Sequence, residues 1–141
     1  MLHLFHPAFV HFSVALLIVG GLWEAWGQLT GREGAIRSGG TLTILGTLSL
    51  LPTVVSGYFA ANTVPVPPAA TGDFDLHELN GWLVVALFVG LLFWKGWHRG
   101  EVPAGQRRLY GAVLLIGVLL VGLGAFLGGD LVYVHGIGVA R

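Results

Sequence analysis

The chain lacks cysteine, and it is poor in charge. Without cysteine there can be no disulfide, thiolate metal centre, Cys-ligated iron–sulfur cluster or cysteine nucleophile. Seven Lys/Arg balance seven Asp/Glu, so there is no basic footprint for nucleic acid. Charged residues make up 10% of the 141 positions, against about 25% in soluble domains. That is too few to cover a water-exposed surface of this size. No His-Glu-x-x-His, phosphate-binding loop or Ser-His-Asp order occurs. What is present is apolar: 55% of the residues are hydrophobic and the mean hydropathy is +0.80. These values describe a small integral membrane protein. Its length suits one domain over residues 1–141, and its metal or cofactor ligands would be His, Asp, Glu or Met.

Charges punctuate the sequence. None occurs in 1–23, 38–72, 79–94 or 109–129. A spanning helix needs about 20 mostly apolar residues, which predicts helices over 7–29, 38–62, 76–98 and 106–128. Residues 64–72 carry Pro65, Pro67 and Pro68 and read as an extended loop. Pro52 falls inside the second span and is expected to kink it. The first span lacks a basic leader and a small-x-small cleavage site, so it is expected to stay in the mature protein. No internal repeat stands out from the sequence. The predicted fold is all-α, a four-helix transmembrane bundle running up-down-up-down.

Six of the seven bases, Arg32, Arg37, Lys95, Arg99, Arg107 and Arg108, fall in the loops after the first and third spans. The positive-inside rule assigns that side to the cytoplasm and both termini to the outer, periplasmic side of a bacterial inner membrane. Trp23, Trp26, Trp94 and Trp97 would form a cytoplasmic-side belt, with Trp82 toward the outer interface. Glu24 lies near that belt and is expected to snorkel, or to pair with Arg32 or Arg37. The 23 glycines, among them the Gly124-x-x-x-Gly128 pair, suit close helix packing in lipid; room for a flat cofactor is the alternative.

Six histidines in so apolar a chain are the informative feature. His98 reads as an interfacial residue at the cytoplasmic end of the third span, and His3 precedes the first. The other four, His6, His11, His77 and His135, come from three segments to the outer side, where polar groups near lipid are costly and tend to be functional. Pro7 suits the first helical position, which puts His11 about 6 Å into the span. His77 falls in the first turn of the third span, after Asp73 or Asp75 as a cap. The first and third helices of such a bundle are diagonal, so His11 and His77 could ligate a porphyrin from opposite sides. His6 and His11 are about 140° apart around a helix and cannot both face one metal. His135 would lie over a strip made by Gly124 and Gly128 if the fourth helix continues past Gly129. Asp130 could accept a hydrogen bond from an imidazole; Glu78 and Asn80 beside His77 have the same choice between that and solvation.

Two terminal motifs carry a resemblance. His6-Pro-Ala-Phe-Val-His11-Phe resembles the HPxxVHF start of a bacterial family of predicted four-helix membrane proteins of unknown function. Gly128-Gly-Asp-Leu-Val-Tyr-Val-His-Gly-Ile-Gly-Val139 resembles that family's GGxLVYxHGxGV ending, and His77-Glu-Leu-Asn80 is similar to its internal His. Ser13 stands where the family often has Pro. The resemblance covers His6, His11, His77 and His135 but not His3 or His98. Some relatives look to be joined to Rieske-type domains, which implies a redox role.

The function expected from these readings is that of a small b-type cytochrome. One or two haems would be held by His11 with His77 and by His6 with His135, for electron transfer near the periplasmic face. A periplasmic redox partner or a quinone would complete the path, and the glycine-rich faces would allow a homodimer. The alternatives are a Cu, Zn or Fe site using His6, His77, His135 and Asp130, or a non-redox subunit of a membrane complex.

Overall fold

A computed structural model describes residues 5–139; His3 lies outside them. Among the described residues, four helices make up most of the chain: α1 (His6–Thr30), α2 (Glu33–Thr63), α3 (Thr71–Trp97) and α4 (Arg107–Tyr133). Single 3₁₀ turns at Pro68–Ala70 and Ala104–Gln106 lead into α3 and α4. Each helix is long and apolar enough to cross a membrane. Even α1, with 25 residues, is about 37 Å long and exceeds the ~30 Å hydrocarbon core.

The helices overrun the charge-free stretches that announced them. α2 starts at Glu33 rather than residue 38, and α3 at Thr71 rather than 76. A charge ends a span's passage through lipid but does not end the helix. α4 runs through Gly128 and Gly129 to Tyr133, and α2 continues unbroken through Pro52. The Ser56 hydroxyl donates to the Pro52 carbonyl at 2.7 Å. α1 does stop at a glycine: Gly31 takes a left-handed φ of 71°, and its N–H caps the Gly27 carbonyl.

α1 packs closely on α2 and also on α4, α4 packs on α3, and the α2–α3 seam is the loosest. α1 and α3 are therefore diagonal, as expected. Glycine sets the α1–α2 distance: a Cβ on Gly20 would lie 2.7 Å from the Thr43 backbone, and one on Gly27 2.6 Å from that of Ile36. Leu17, Phe88, Leu114 and Tyr110 fill the centre. α1 and α3 both begin at one end of the bundle, here termed the histidine end. Their other ends bring Glu24 and Lys95 together at the opposite, Glu–Lys end.

Candidate functional site at the histidine end

His6, the first residue of α1, reaches across to α2. Its Nδ1 lies 3.1 Å from the Thr53 carbonyl and 3.1 Å from Ser56 Oγ. A carbonyl can only accept, so Nδ1 carries the proton and donates. Nε2 is left with a free lone pair, and it makes no hydrogen bond among the described residues. The ring sits over Gly57, where a Cβ would come within 2.9 Å of His6 Cε1. Two helical turns deeper, Ser13 Oγ lies 2.8 Å from both Ser49 Oγ and Thr53 Oγ1, pinning α1 to α2.

His77, in the second turn of α3, packs against α4 without such a bond. Its ring sits over Gly128, with Cε1 3.0 Å from where a Cβ would be. Its Nδ1 is buried without a hydrogen-bond partner. Next to it, the Asn80 amide donates to the Leu120 carbonyl at 3.1 Å and fills the space over Gly124. Both rings are half-buried, and His6 and His77 lie within electrostatic reach of one another.

The Gly124/Gly128 strip expected beneath His135 is thus covered by α3 side chains. His135 lies beyond the end of α4. Its Nε2 is 2.9 Å from Asp73 Oδ2 and 3.8 Å from Asp130 Oδ2. The ligand atoms of Asp73, Asp130 and His135 all fall within 4.8 Å of one another, and all three residues are partly buried. Asp130 is near this imidazole but at 3.8 Å accepts no hydrogen bond from it; Asp73, read from sequence only as a cap, is the residue at hydrogen-bond distance.

His11 does not join this group. It is on the exposed face of α1, and its Nδ1 is 2.6 Å from the Pro7 carbonyl of its own helix. Depth along the span was the argument for pairing it with His77, but facing decides the pairing, and α1 turns His6 inward instead. Glu78 is exposed, and His98 caps α3 at the far end.

That far end holds the other polar feature of the interior. Lys95 Nζ donates to Glu24 Oε1 at 2.6 Å, and Glu24 is fully buried. The expectation that Glu24 pairs with Arg32 or Arg37 is corrected. Arg32 stacks over Trp26 at 4.5 Å, and Arg37 is exposed. Glu24 faces the bundle axis, where a lysine counted among the loop bases is in fact part of a buried pair. Gly40 gives the Lys95 ammonium its room. Glu24 Oε2 and Gln28 Oε1 are buried without partners. A small cavity in the loose α2–α3 seam is bordered by Glu24, Lys95, Thr43, Thr47 and Tyr110.

Comparison with known proteins bears on the whole chain. No curated protein and no solved structure matches it. A family model described as a predicted membrane protein, DUF2231, matches residues 2–141, and the chain belongs to that family.

Proposed function

We propose that the protein is a small b-type membrane cytochrome that holds haem at its histidine end and passes electrons there. The observation that carries the reading is the common posture of His6 and His77. Each ring lies on a glycine of the neighbouring helix and leaves Nε2 without a hydrogen bond among the described residues, and His6 also donates its Nδ1–H to the Thr53 carbonyl. Such a pair could serve as the donor set of a haem iron: imidazoles with a free nitrogen each, the tautomer of His6 fixed through its second nitrogen. His6 with His77 replaces His11 with His77 as the favoured axial pair. Haem would supply one-electron chemistry, and attachment would be non-covalent, since the chain has no cysteine. The residues' part is to orient the ligands and keep water from the iron.

Of the bases that set orientation, Lys95 is paired within the bundle. Arg32, Arg37, Arg99, Arg107 and Arg108 still share one side, which supports a cytoplasmic Glu–Lys end and a periplasmic histidine end. A single-sided site needs a quinone or a periplasmic redox partner. Thr71→Cys and Gly105→Cys are expected to label from opposite faces of intact cells; labelling from one face would reject the four-span topology.

The test of the cofactor is an absorption spectrum of protein purified from haem-replete cells. A Soret band with low-spin, six-coordinate features is expected. Colourless protein that cannot take up added hemin would overturn the reading. It would favour a second one, a divalent transition metal held by Asp73, Asp130 and His135, whose ligand atoms are already gathered. Elemental analysis of the wild type against Asp73→Asn tests that alternative.

A further inference from the structure

Glu24 and Lys95 are 71 residues apart, and so are many other residues that do the same work. At that offset His6 becomes His77, Trp23 becomes Trp94, Trp26 becomes Trp97, Gly40 becomes Gly111, Gly46 becomes Gly117, and Gly57 becomes Gly128. Burial repeats with the same spacing. The buried α4 residues Tyr110, Gly111, Leu114, Gly117, Val121 and Leu127 are counterparts of Gly39, Gly40, Thr43, Gly46, Leu50 and Ser56, all buried on α2. The buried α3 residues Val84, Phe88, Leu91 and Lys95 are counterparts of Ser13, Leu17, Gly20 and Glu24, all buried on α1.

The geometry also repeats. From where a Cβ would stand on Gly57, the Cε1, Nδ1 and Nε2 atoms of His6 are 2.9, 3.4 and 3.6 Å away; from Gly128, those of His77 are 3.0, 3.6 and 3.8 Å away. The hydrogen bond that His6 Nδ1 makes to Thr53 is not repeated: His77 Nδ1 is buried without a partner. Helices α1 and α3 run in the same direction, so the two hairpins are related by a two-fold axis along the bundle, a parallel repeat. Equivalent residues near that axis face each other, and Glu24 meets Lys95 there. The relation is inexact: α1 packs more closely on α2 than α3 does on α4, and the seams between the hairpins differ too. Gly21 lets Val118 approach at the α1–α4 contact, whereas its counterpart Leu92 stands in the loose α2–α3 seam.

We propose that the chain is a tandem repeat of one helical hairpin, and that Glu24 and Lys95 form the surface by which the two hairpins select each other. Identical hairpins would place like residues on the axis, two carboxylates or two ammonium groups, buried and repelling. Opposite charges at one equivalent position make each hairpin fit the other and reject its own kind. The partner such a surface fits is a hairpin bearing the opposite charge, in the same chain or in a second copy. This inference does not depend on what the histidines bind.

Charge exchange in the full chain tests it. Glu24→Lys alone and Lys95→Glu alone are each expected to cut the yield of monodisperse, detergent-stable monomer about tenfold or more. The double exchange is expected to return it to within about twofold of the wild type. Co-expression of the two single variants under different tags places opposite charges only between chains, and a mixed dimer is expected to co-purify. If the double exchange is as poor as the single variants and no mixed dimer forms, the selection surface is wrong. A circular permutant leaves the ion pair untouched and tests the repeat itself. It runs α3, α4, α1, α2, with a copy of the 64–70 connection joining the old ends. Wild-type yield and helix content are expected; aggregation of this permutant would overturn the repeat.

Discussion

The two ends of the bundle bury polar groups in opposite ways. At the Glu–Lys end a carboxylate and an ammonium neutralise each other, and no net charge is left to recruit a ligand. At the histidine end two identical imidazoles are held against glycines with their outer nitrogens unspent. Charge buried in an apolar interior is tolerated when it is paired. The Nε2 atoms in the same setting have no partner among the described residues and are available to one from outside. The first end reads as architecture and the second as chemistry.

The largest effect should come from breaking the paired end. Lys95→Met strands the Glu24 carboxylate in the core and is expected to cost about 3–5 kcal/mol, read from unfolding in detergent. Combining it with Glu24→Gln should recover most of that loss, because the uncompensated charge is then gone. At the other end, His6→Ala or His77→Ala should abolish the six-coordinate haem spectrum while leaving stability nearly unchanged. His11→Ala should leave the spectrum intact. An unaltered spectrum in both His6→Ala and His77→Ala would erase the contrast between the ends.

The four spans were legible because charge in a lipid-crossing chain is rare enough to act as punctuation. Where each helix stops was not, because helices continue past the hydrocarbon, as α2 does at Glu33 and α4 at Tyr133. The histidine end was legible as a region: topology alone brings His6, His77 and His135 to one side. The facing of His11 was not, since the rotation of a helix is set by its neighbours, and α1 is committed by Gly20, Gly27 and Ser13 against α2. Lys95 was misread because it adjoins a basic loop in sequence, while its side chain turns back to the axis. The repeat escaped notice because much of it is written in glycine and tryptophan, residues common enough here to look like composition.

A smaller effect sharpens the glycine seats. Gly57→Ala and Gly128→Ala should each displace an imidazole by a few tenths of an ångström, at a cost of about 1–3 kcal/mol if the ring cannot yield. If it does yield, the haem spectrum should shift, and the two variants should behave alike. The mildest change is Ser13→Ala. It removes a hydroxyl shared by Ser49 and Thr53 and should cost about 0.6 kcal/mol, a typical interhelical hydrogen bond in lipid. Thermal unfolding in detergent measures both costs.

The hairpin repeat also gives the residues an order of appearance. On that proposal, what both halves carry was present in a single ancestral hairpin that worked as a pair of identical subunits. His6 and His77 on Gly57 and Gly128 belong to that older inheritance. His11, whose counterpart is Trp82, and His135, whose counterpart is Val64, have no twin. On that proposal each belongs to one half alone, whether it was gained there or its twin was lost from the other. Asp73, Asp130 and His135 are in that sense a feature of one half beside a centre that both halves build, and replacing them should leave the seats of His6 and His77 unchanged.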